Sequence, residues 1–366
     1  MPPINVMLKP ASGLCNMHCQ YCFYRDLQEN RKTSNIGMMS LQTVETVIRR
    51  VFATAEVFCG FAFQGGEPTL CGLEFYREFC DMAERFNTKN TKINWSLQTN
   101  GLLIDEEWAY FLQEKKFLVG ISLDGPADLH NGARVDKSGK GTYTRVLHAA
   151  DLLRKYKVEF NILCVVTNQN ARRGKQVYDF FKNHGFNFLQ FIPCLHPLGG
   201  ESIYGLTPRR YGEFLNTVFD AWYLDIKKNK YISIRNIDNY IWMLAGAEPE
   251  LCSMRGQCNC QFIIDADGDV YPCDFYTLDK WHLGNVETDS FQKMFESETA
   301  KHFIIESLTR ESCQGCNWFP LCRGGCQRDY IADGGRNYNL FCESYKIFFE
   351  HCYTRMREIA IFMPRI

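Results

Sequence analysis

The chain has 366 residues, 46% of them hydrophobic, with 41 basic against 42 acidic side chains and a formal net charge of -1. This supports one large or two ordinary globular domains and excludes a global electrostatic drive toward nucleic acid or anionic lipid. No apolar run approaches membrane-spanning length, and "MPPINVMLKP" lacks the basic and longer apolar regions of a signal peptide, so a cytoplasmic protein is expected. Eighteen cysteines in a reducing compartment then read as metal ligands and not as a disulfide framework.

Short β-branched and aromatic runs recur in chain order at "INVMLK", "GFAF", "INWSLQT", "FLVGISL", "FNILCVVT" and "FLQFI" and predict six strands. Helical spacing lies around residues 40–56, 73–87, 105–116, 142–157, 171–183 and 207–228, with Ser40 as a cap for the first. Strand followed by helix, repeated, predicts a parallel α/β architecture over residues 3–235. Six units are too few for the usual eightfold closure, so an open, partial (β/α)6 barrel is expected. Polar signatures mark the strand ends: "CNMHCQYC", "QGGEP", "QTNG" and "SLDG" follow strands one to four, where such a barrel forms its active face. Residues 236–366 read as a second domain organised by metal. It has scattered cysteines, a hairpin in "QFIIDADGDVYPC" turning at Asp267-Gly268, and an amphipathic closing helix around 344–361.

The first cysteine set, Cys15, Cys19 and Cys22, has one thiolate fewer than a structural zinc or a closed four-iron cluster uses. Three buried thiols, or a zinc site completed from elsewhere, would be the plain alternative. Three thiolates can also hold three irons of a four-iron cluster and leave the fourth open. The CxxxCxxC pattern, with Tyr21 before the last cysteine, resembles the radical S-adenosylmethionine (SAM) enzymes. That resemblance implies that the open iron chelates the SAM amino and carboxylate groups, and that a cluster electron cleaves the sulfonium to a 5′-deoxyadenosyl radical. Gly65, Gly66 and Glu67 in "QGGEP" resemble the family's GGE element, whose backbone and carboxylate receive the SAM amino group; a capped Gly-Gly turn is the alternative. By the same resemblance Tyr21, Ser122 in "SLDG", Arg134 in "HNGARVD" and Leu195 in "PCLHP" are cofactor contacts, where turn, surface or packing roles would otherwise serve.

The second cysteine set is the stronger signal. Cys258, Gly268 and Cys273, then Cys313, Cys316, Cys322 and Cys326, then Cys342, match the SPASM pattern, and Cys252 supplies an eighth ligand. By resemblance Cys252, Cys258, Cys273 and Cys326 hold one auxiliary [4Fe-4S] cluster, and Cys313, Cys316, Cys322 and Cys342 hold another. Eight thiolates leave no vacant corner, which suits electron transfer; two closed zinc sites would use the same ligands. Cys59, Cys71, Cys80, Cys164, Cys194, Cys260 and Cys352 remain as core or incidental thiols, with Cys260 close in sequence to the ligands. Asp274, directly after a ligand, could take a proton from a substrate radical as the cluster takes the electron; a turn or a ligand-supporting carboxylate is the alternative.

Continuous similarity, including "MLKPAS", "FAFQGGEPTL", "SLQTNG", "KYKVEFNILCVVT", "VYPCDFY" and "LDKWHLGN", resembles the anaerobic sulfatase-maturating enzymes along almost the whole chain. The resemblance implies oxidation of a cysteine or serine in a Cys/Ser-x-Pro-x-Arg motif to Cα-formylglycine. Hydrogen abstraction from Cβ is followed by proton removal at Asp274 and electron transfer to the auxiliary clusters. It implies SAM and three [4Fe-4S] clusters as cofactors. An unfolded or nascent sulfatase polypeptide would be the substrate, with an external one-electron donor such as flavodoxin or ferredoxin. The expected protein is a monomer, with no nucleic-acid or membrane partner. One alternative is a SPASM peptide maturase that forms a thioether, carbon-carbon crosslink or epimer, which an N-terminal precursor-recognition domain would favour; this chain begins almost directly with strand one. A non-catalytic iron-sulfur or zinc scaffold would explain the C-terminal cysteines but not the three-cysteine and GGE elements at successive strand ends.

Overall fold

The computed structural model describes residues 4–34, 36–198, 202–308, 311–333 and 336–362. Its strands include β1 (Ile4–Leu8), β2 (Phe58–Phe63), β3 (Lys92–Thr99), β4 (Leu118–Ser122), β5 (Glu159–Val166), β6 (Phe188–Pro193), β7 (Ser233–Ile234), β8 (Ile263–Ile264), β9 (Asp269–Tyr271) and β10 (Gly284–Asn285). The contacts group the chain into two compact units that interleave in sequence. One comprises Met1–Ser122, Ala133–Phe160 and Asn259–Phe303, the other Leu123–Gly132, Asn161–Cys258 and Ile304–Ile366.

In the first unit β1, β2, β3 and β4 lie side by side and parallel, with Val6 opposite Phe61, Phe61 opposite Trp95 and Thr99 opposite Ile121. The helices Leu41–Thr54, Gly72–Phe86 and Glu106–Glu114 connect them. Ser40 caps the first by accepting from Thr43 N, as expected. Phe61 stacks on Trp95 with ring centroids 5.2 Å apart, Trp95 stacks on Phe117 at 5.7 Å, and Phe63 meets Phe79 edge-on at 5.0 Å. Phe61, Phe63 and Phe79 are fully buried, so this aromatic layer fixes the sheet on which the strand-end loops stand.

The expected hairpin forms as β8 and β9, antiparallel with Ile263 opposite Tyr271, and β10 continues the sheet with Gly284 opposite Val270. The sequence did not indicate where this hairpin attaches. β8 pairs in parallel with the outer edge of β1, Met7 opposite Ile263 and Leu8 opposite Ile264. Residues from late in the chain thereby complete the sheet that residues from its start begin.

In the second unit β5, β6 and β7 are parallel, with Ile162 opposite Leu189 and Phe188 opposite Ser233. The helix Pro208–Ile226 packs along the long helix Cys342–Ile361. An added Cβ on Gly212 would meet Ile347 side-chain atoms at 3.0 Å, so the two helices approach closely at that glycine. Helices that were not expected include Phe23–Glu29, Ala127–Ala133, Arg235–Leu244, Phe291–Phe295, Glu298–Glu306 and Phe319–Cys322. Among the described residues no helix is long and apolar enough to cross a membrane.

Candidate active site

The loop after β1 carries Cys15, Cys19 and Cys22, all half-buried, and none of the eighteen cysteines is in a disulfide. Cys15 Sγ accepts from Met17 N at 3.3 Å and lies 3.8 Å from the donor Asn100 Nδ2. Burial pushes the Cys15 thiol up to about 11, and the nearby Glu67 carboxylate and Cys22 add to the rise against the bond from Met17 N. Donation of Cys22 N to Cys19 O at 3.3 Å closes the turn from which the helix Phe23–Glu29 starts.

Glycines 65 and 66, after β2, brace this loop. Their φ values are +94° and +50°, and a Cβ on Gly66 would sit 2.2 Å from Leu14 O. A Cβ on Gly65 would strike the Lys9 stem at 2.7 Å, so neither position admits a side chain. Next to them Glu67 N donates to Leu14 O at 2.7 Å. The Glu67 carboxylate is buried and well supplied with donors. Oε1 accepts from Thr69 N (3.1 Å), Thr69 Oγ1 (2.6 Å) and Thr99 Oγ1 (2.7 Å), and Oε2 from Asn100 N (2.7 Å). Burial raises its pKa, and these hydrogen bonds from Thr69, Asn100 and Thr99 oppose the rise.

On the other side of the cysteine loop, His18 N donates to Val135 O at 2.8 Å and Gln20 N to Ala133 O at 2.9 Å. Arg134 lies between those acceptors, and its guanidinium is 5.4 Å from the centroid of the Tyr21 ring. Two predicted cofactor residues are thus together. Ser122, at the end of β4, accepts from Gln98 Nε2 at 3.2 Å. Leu195 follows β6 in the second unit and is half-buried.

Asp274 begins the turn after β9, on the hairpin that β1 recruits. Its Oδ2 accepts from Tyr24 Oη at 2.5 Å and from Gln64 Nε2 at 2.9 Å, and Gln64 Nε2 also donates to Tyr24 Oη at 2.9 Å. Its Oδ1 is buried with no hydrogen-bond partner among the described residues. Burial raises the Asp274 pKa, while the Lys9 ammonium and the bonds from Tyr24 and Gln64 pull it down. Burial, then the Asp274 charge, pushes the Tyr24 phenol well above its usual range, so it remains a donor. Lys9 is itself buried, with Nζ 3.3 Å from Thr277 Oγ1 and 4.9 Å from the Tyr24 ring centroid. The arrangement is a carboxylate with one oxygen fixed and the other available, beside a three-thiol loop.

The family model of the Radical SAM superfamily matches residues 10–181, and that of the iron-sulfur cluster-binding SPASM domain matches residues 252–317. The cysteine-type anaerobic sulfatase-maturating enzyme of Clostridium perfringens (strain 13 / Type A) is 47% identical, covering 98% of this chain and 99% of its own. The protein of the same description in Clostridium novyi (strain NT) is 45% identical over 98% of each chain. This chain belongs to the anaerobic sulfatase-maturating enzymes. It is therefore a radical SAM enzyme with a C-terminal SPASM domain, using SAM and [4Fe-4S] clusters, on a mixed α/β fold with a parallel sheet. A solved structure of native anSMEcpe with bound AdoMet and Cp18Cys peptide has a TM-score of 0.93 at 46% identity, covering 98% of this chain and 99% of that one. A serine-type anaerobic sulfatase-maturating enzyme of Bacteroides thetaiotaomicron is 30% identical over 95% of this chain and 89% of its own. Streptococcus suis SuiB bound to precursor peptide SuiA, at 16% identity and a TM-score of 0.64 over 93% and 76% of the two chains, shares the fold alone.

Of the C-terminal cysteines in this family member, Cys313, Cys316, Cys322 and Cys342 gather in the second unit. Burial pushes the Cys322 thiol up to about 12, with further rises from Cys342, Cys313 and Cys316, and burial likewise raises Cys342, to which Cys313 and Cys316 add, so these sulfurs lie near one another. That is a donor set suited to a closed four-thiolate cluster. Cys252 is exposed, and Cys258 and Cys326 are half-buried in the same unit; Cys273 is half-buried in the first. Asn239 Oδ1 holds the approach to Cys252 by accepting from Glu250 N at 2.7 Å and Leu251 N at 3.2 Å. Cys59, Cys80, Cys164, Cys194, Cys260 and Cys352 are buried, and Cys71 is half-buried. Among the described residues no three His, Cys, Asp or Glu side chains are placed to hold a single metal ion.

Sequence reasoning did not assign Tyr24, Gln64, Lys9 or Asn100. Gln64 and Asn100 stood inside the quoted "QGGEP" and "QTNG" motifs, so their position at strand ends was the available signal. Lys9 stood inside the quoted "MLKPAS" and Tyr24 in no quoted motif, and nothing nearby marked a role for either, because their partners come from the hairpin far along the chain.

Proposed function

We propose that this chain oxidises a cysteine in a Cys-x-Pro-x-Arg motif of a sulfatase polypeptide to Cα-formylglycine, with hydrogen-atom abstraction from Cβ. The observation that carries the reading is the Asp274 carboxylate, whose Oδ1 is buried and free of hydrogen-bond partners among the described residues. Cysteine is favoured over serine because the relatives at 45–47% identity bear the cysteine-type description and the serine-type relative is 30% identical.

Cys15, Cys19 and Cys22 would hold the SAM-binding cluster. Tyr21, Gly65, Gly66, Glu67, Ser122, Arg134 and Leu195 would hold SAM. The geometry around Gly65 and Gly66 fits a backbone cradle from which side chains are excluded. Because Glu67 already receives four donors, its main contribution is to fix that cradle. Cys313, Cys316, Cys322 and Cys342 would hold one auxiliary cluster, supported by their mutual proximity. For Cys252, Cys258, Cys273 and Cys326 the support is their spacing in the sequence. A functional division into residues 3–235 and 236–366 is in keeping with family matches at 10–181 and 252–317.

When bound, SAM and the clusters supply hydrogen-atom abstraction and one-electron transfer. Asp274 Oδ1 takes the proton of the target thiol. Tyr24 and Gln64 hold Oδ2, which orients the free oxygen, and burial raises the basicity of the carboxylate. An external one-electron donor such as flavodoxin or ferredoxin, a monomeric state and a cytoplasmic setting complete the proposal; eighteen cysteines with no disulfide among them suit a reducing compartment.

The test is anaerobic incubation of the reconstituted protein with SAM, reductant and a Cys-x-Pro-x-Arg peptide or its serine counterpart, followed by mass spectrometry. An aldehyde residue formed with 5′-deoxyadenosine, faster on the cysteine peptide, is the expected result. SAM cleavage with both peptides intact would overturn the substrate assignment. It would turn attention to crosslinking or epimerisation of another peptide.

A further inference from the structure

Asn100, the residue after β3, joins the two N-terminal motifs and is 7% exposed. Its backbone N–H donates to Glu67 Oε2 at 2.7 Å, and its side-chain Oδ1 accepts from Leu102 N at 3.0 Å. Its Nδ2 donates to Asn16 Oδ1 at 2.8 Å and faces Cys15 Sγ at 3.8 Å. These partners fix which way the amide points. Turned over, it would set Oδ1 against the Asn16 carbonyl oxygen and the sulfur, and its NH2 against Leu102 N–H. One amide hydrogen therefore goes to Asn16 and the other is directed at Cys15. The sulfur receives this side-chain donor in addition to the backbone donor Met17 N at 3.3 Å.

Glu67 holds the donor in place from the far side. It is anchored by Thr69 and Thr99 as well as by Asn100, so the turn after β2 and the loop after β3 are tied together by hydrogen bonds. We propose that Asn100 is a positioning residue for the SAM-binding cluster, donating its amide N–H to the Cys15 sulfur and thereby raising the reduction potential of the cluster that Cys15 ligates. The inference rests on the assignment of Cys15, Cys19 and Cys22 as ligands. An N–H directed at a thiolate withdraws negative charge from it, which favours the more negative, reduced state of the cluster. The amide carries no ionisable group, so the effect is present at any working pH.

The experiment is a redox titration of the anaerobic, reconstituted full chain, followed by electron paramagnetic resonance of the reduced signal that changes when SAM is added. Wild type, Asn100→Leu and Asn100→Asp are compared. Leu deletes the donor without adding charge; Asp deletes it and adds a negative charge. The expected result is a more negative midpoint in both variants, with the reduced-to-oxidised ratio at the wild-type midpoint falling about tenfold, or about 59 mV for one electron. A shift in the Asp variant alone would assign the effect to charge and overturn the hydrogen-bond role, as would unshifted midpoints in both. If the Leu variant loses its cluster, Asn100→Gln gives the second comparison, since it keeps an amide donor on a longer stem. A loaded cluster at the native potential in Gln supports the role; a lost cluster there overturns it. Wild-type protein without any SAM-responsive signal would overturn the ligand assignment itself and this inference with it, an outcome distinct from unshifted variants.

Discussion

Tyr24 and Asp274, far apart in the chain, are joined by a 2.5 Å hydrogen bond from the phenol to Oδ2. Tyr24 stands two residues beyond the last cysteine of the N-terminal set, and Asp274 one residue beyond a cysteine of the C-terminal set. The bond therefore links a residue of the helix Phe23–Glu29 to one of the hairpin, inside a single compact unit. It also orients the carboxylate, leaving Oδ1 as the free oxygen.

Asp274→Asn should retain all cluster iron and still release 5′-deoxyadenosine while aldehyde formation falls by about 10²–10⁴-fold, the usual weight of a positioned acid-base group. Iron analysis and paired quantification of nucleoside and aldehyde check this. Aldehyde formation at the wild-type rate would remove Asp274 from the reaction.

Tyr24→Phe should move the acid limb of the pH–rate profile to higher pH. In its proposed role Asp274 acts as the ionised carboxylate, so the rate should fall as pH drops through its pKa; burial raises that pKa, and the Tyr24 bond is among the contacts that hold it down. Without the phenol the carboxylate stays protonated to a higher pH. Single-turnover rates across the pH range would show the displacement, and an unchanged limb would contradict it.

Gly66→Ala would place a Cβ 2.2 Å from Leu14 O at a φ of +50°. The strain, about 1–3 kcal/mol, falls on the loop that carries Cys15. The SAM-responsive signal should weaken while the SAM-insensitive signals persist, which spectra before and after SAM addition would reveal. Cys342→Ala should do the reverse, losing one SAM-insensitive signal and sparing the SAM-responsive one.

Asp238 offers a stability test away from the chemistry. Burial raises its pKa from 3.8 to about 6, against hydrogen bonds from Ser233 and Tyr231, and Oδ1 has no partner among the described residues. A carboxyl with a raised folded pKa favours the protonated folded state. The fold therefore loses stability as pH rises from about 4 to 6, on the order of 2–3 kcal/mol by linkage. Asp238→Asn should raise the urea midpoint at pH 8 and give little gain at pH 4. Equal gains at both would rule out the charge as the cause.

The periodic parts of the chain were legible because burial writes them into the sequence. Val6 and Leu8 alternate toward the core in β1, Ser40 announces its helix, and "DADG" announces the turn between β8 and β9. The cysteine spacings carried the cofactor chemistry for the same reason, since ligand geometry limits spacing. What stayed hidden were relations between distant segments. Nothing near Met7 specifies Ile263 as its neighbour, and nothing near Tyr24 specifies Asp274. The short helix Arg235–Leu244 was missed because it begins in a stretch of mixed polarity, without a side-chain cap at Ile234.

The attachment of β8 to β1 also sets an order of events during synthesis. While the ribosome is still making the middle of the chain, the outer edge of β1 has no strand to cover it, and an uncovered edge invites pairing with other chains. Only when Ile263 and Ile264 emerge is that edge closed, and the same stretch of chain then delivers Asp274 to Tyr24. The proposed proton acceptor therefore emerges long after the cysteine loop, and a truncated or stalled chain ending before the hairpin has that loop without the residue proposed to complete its chemistry.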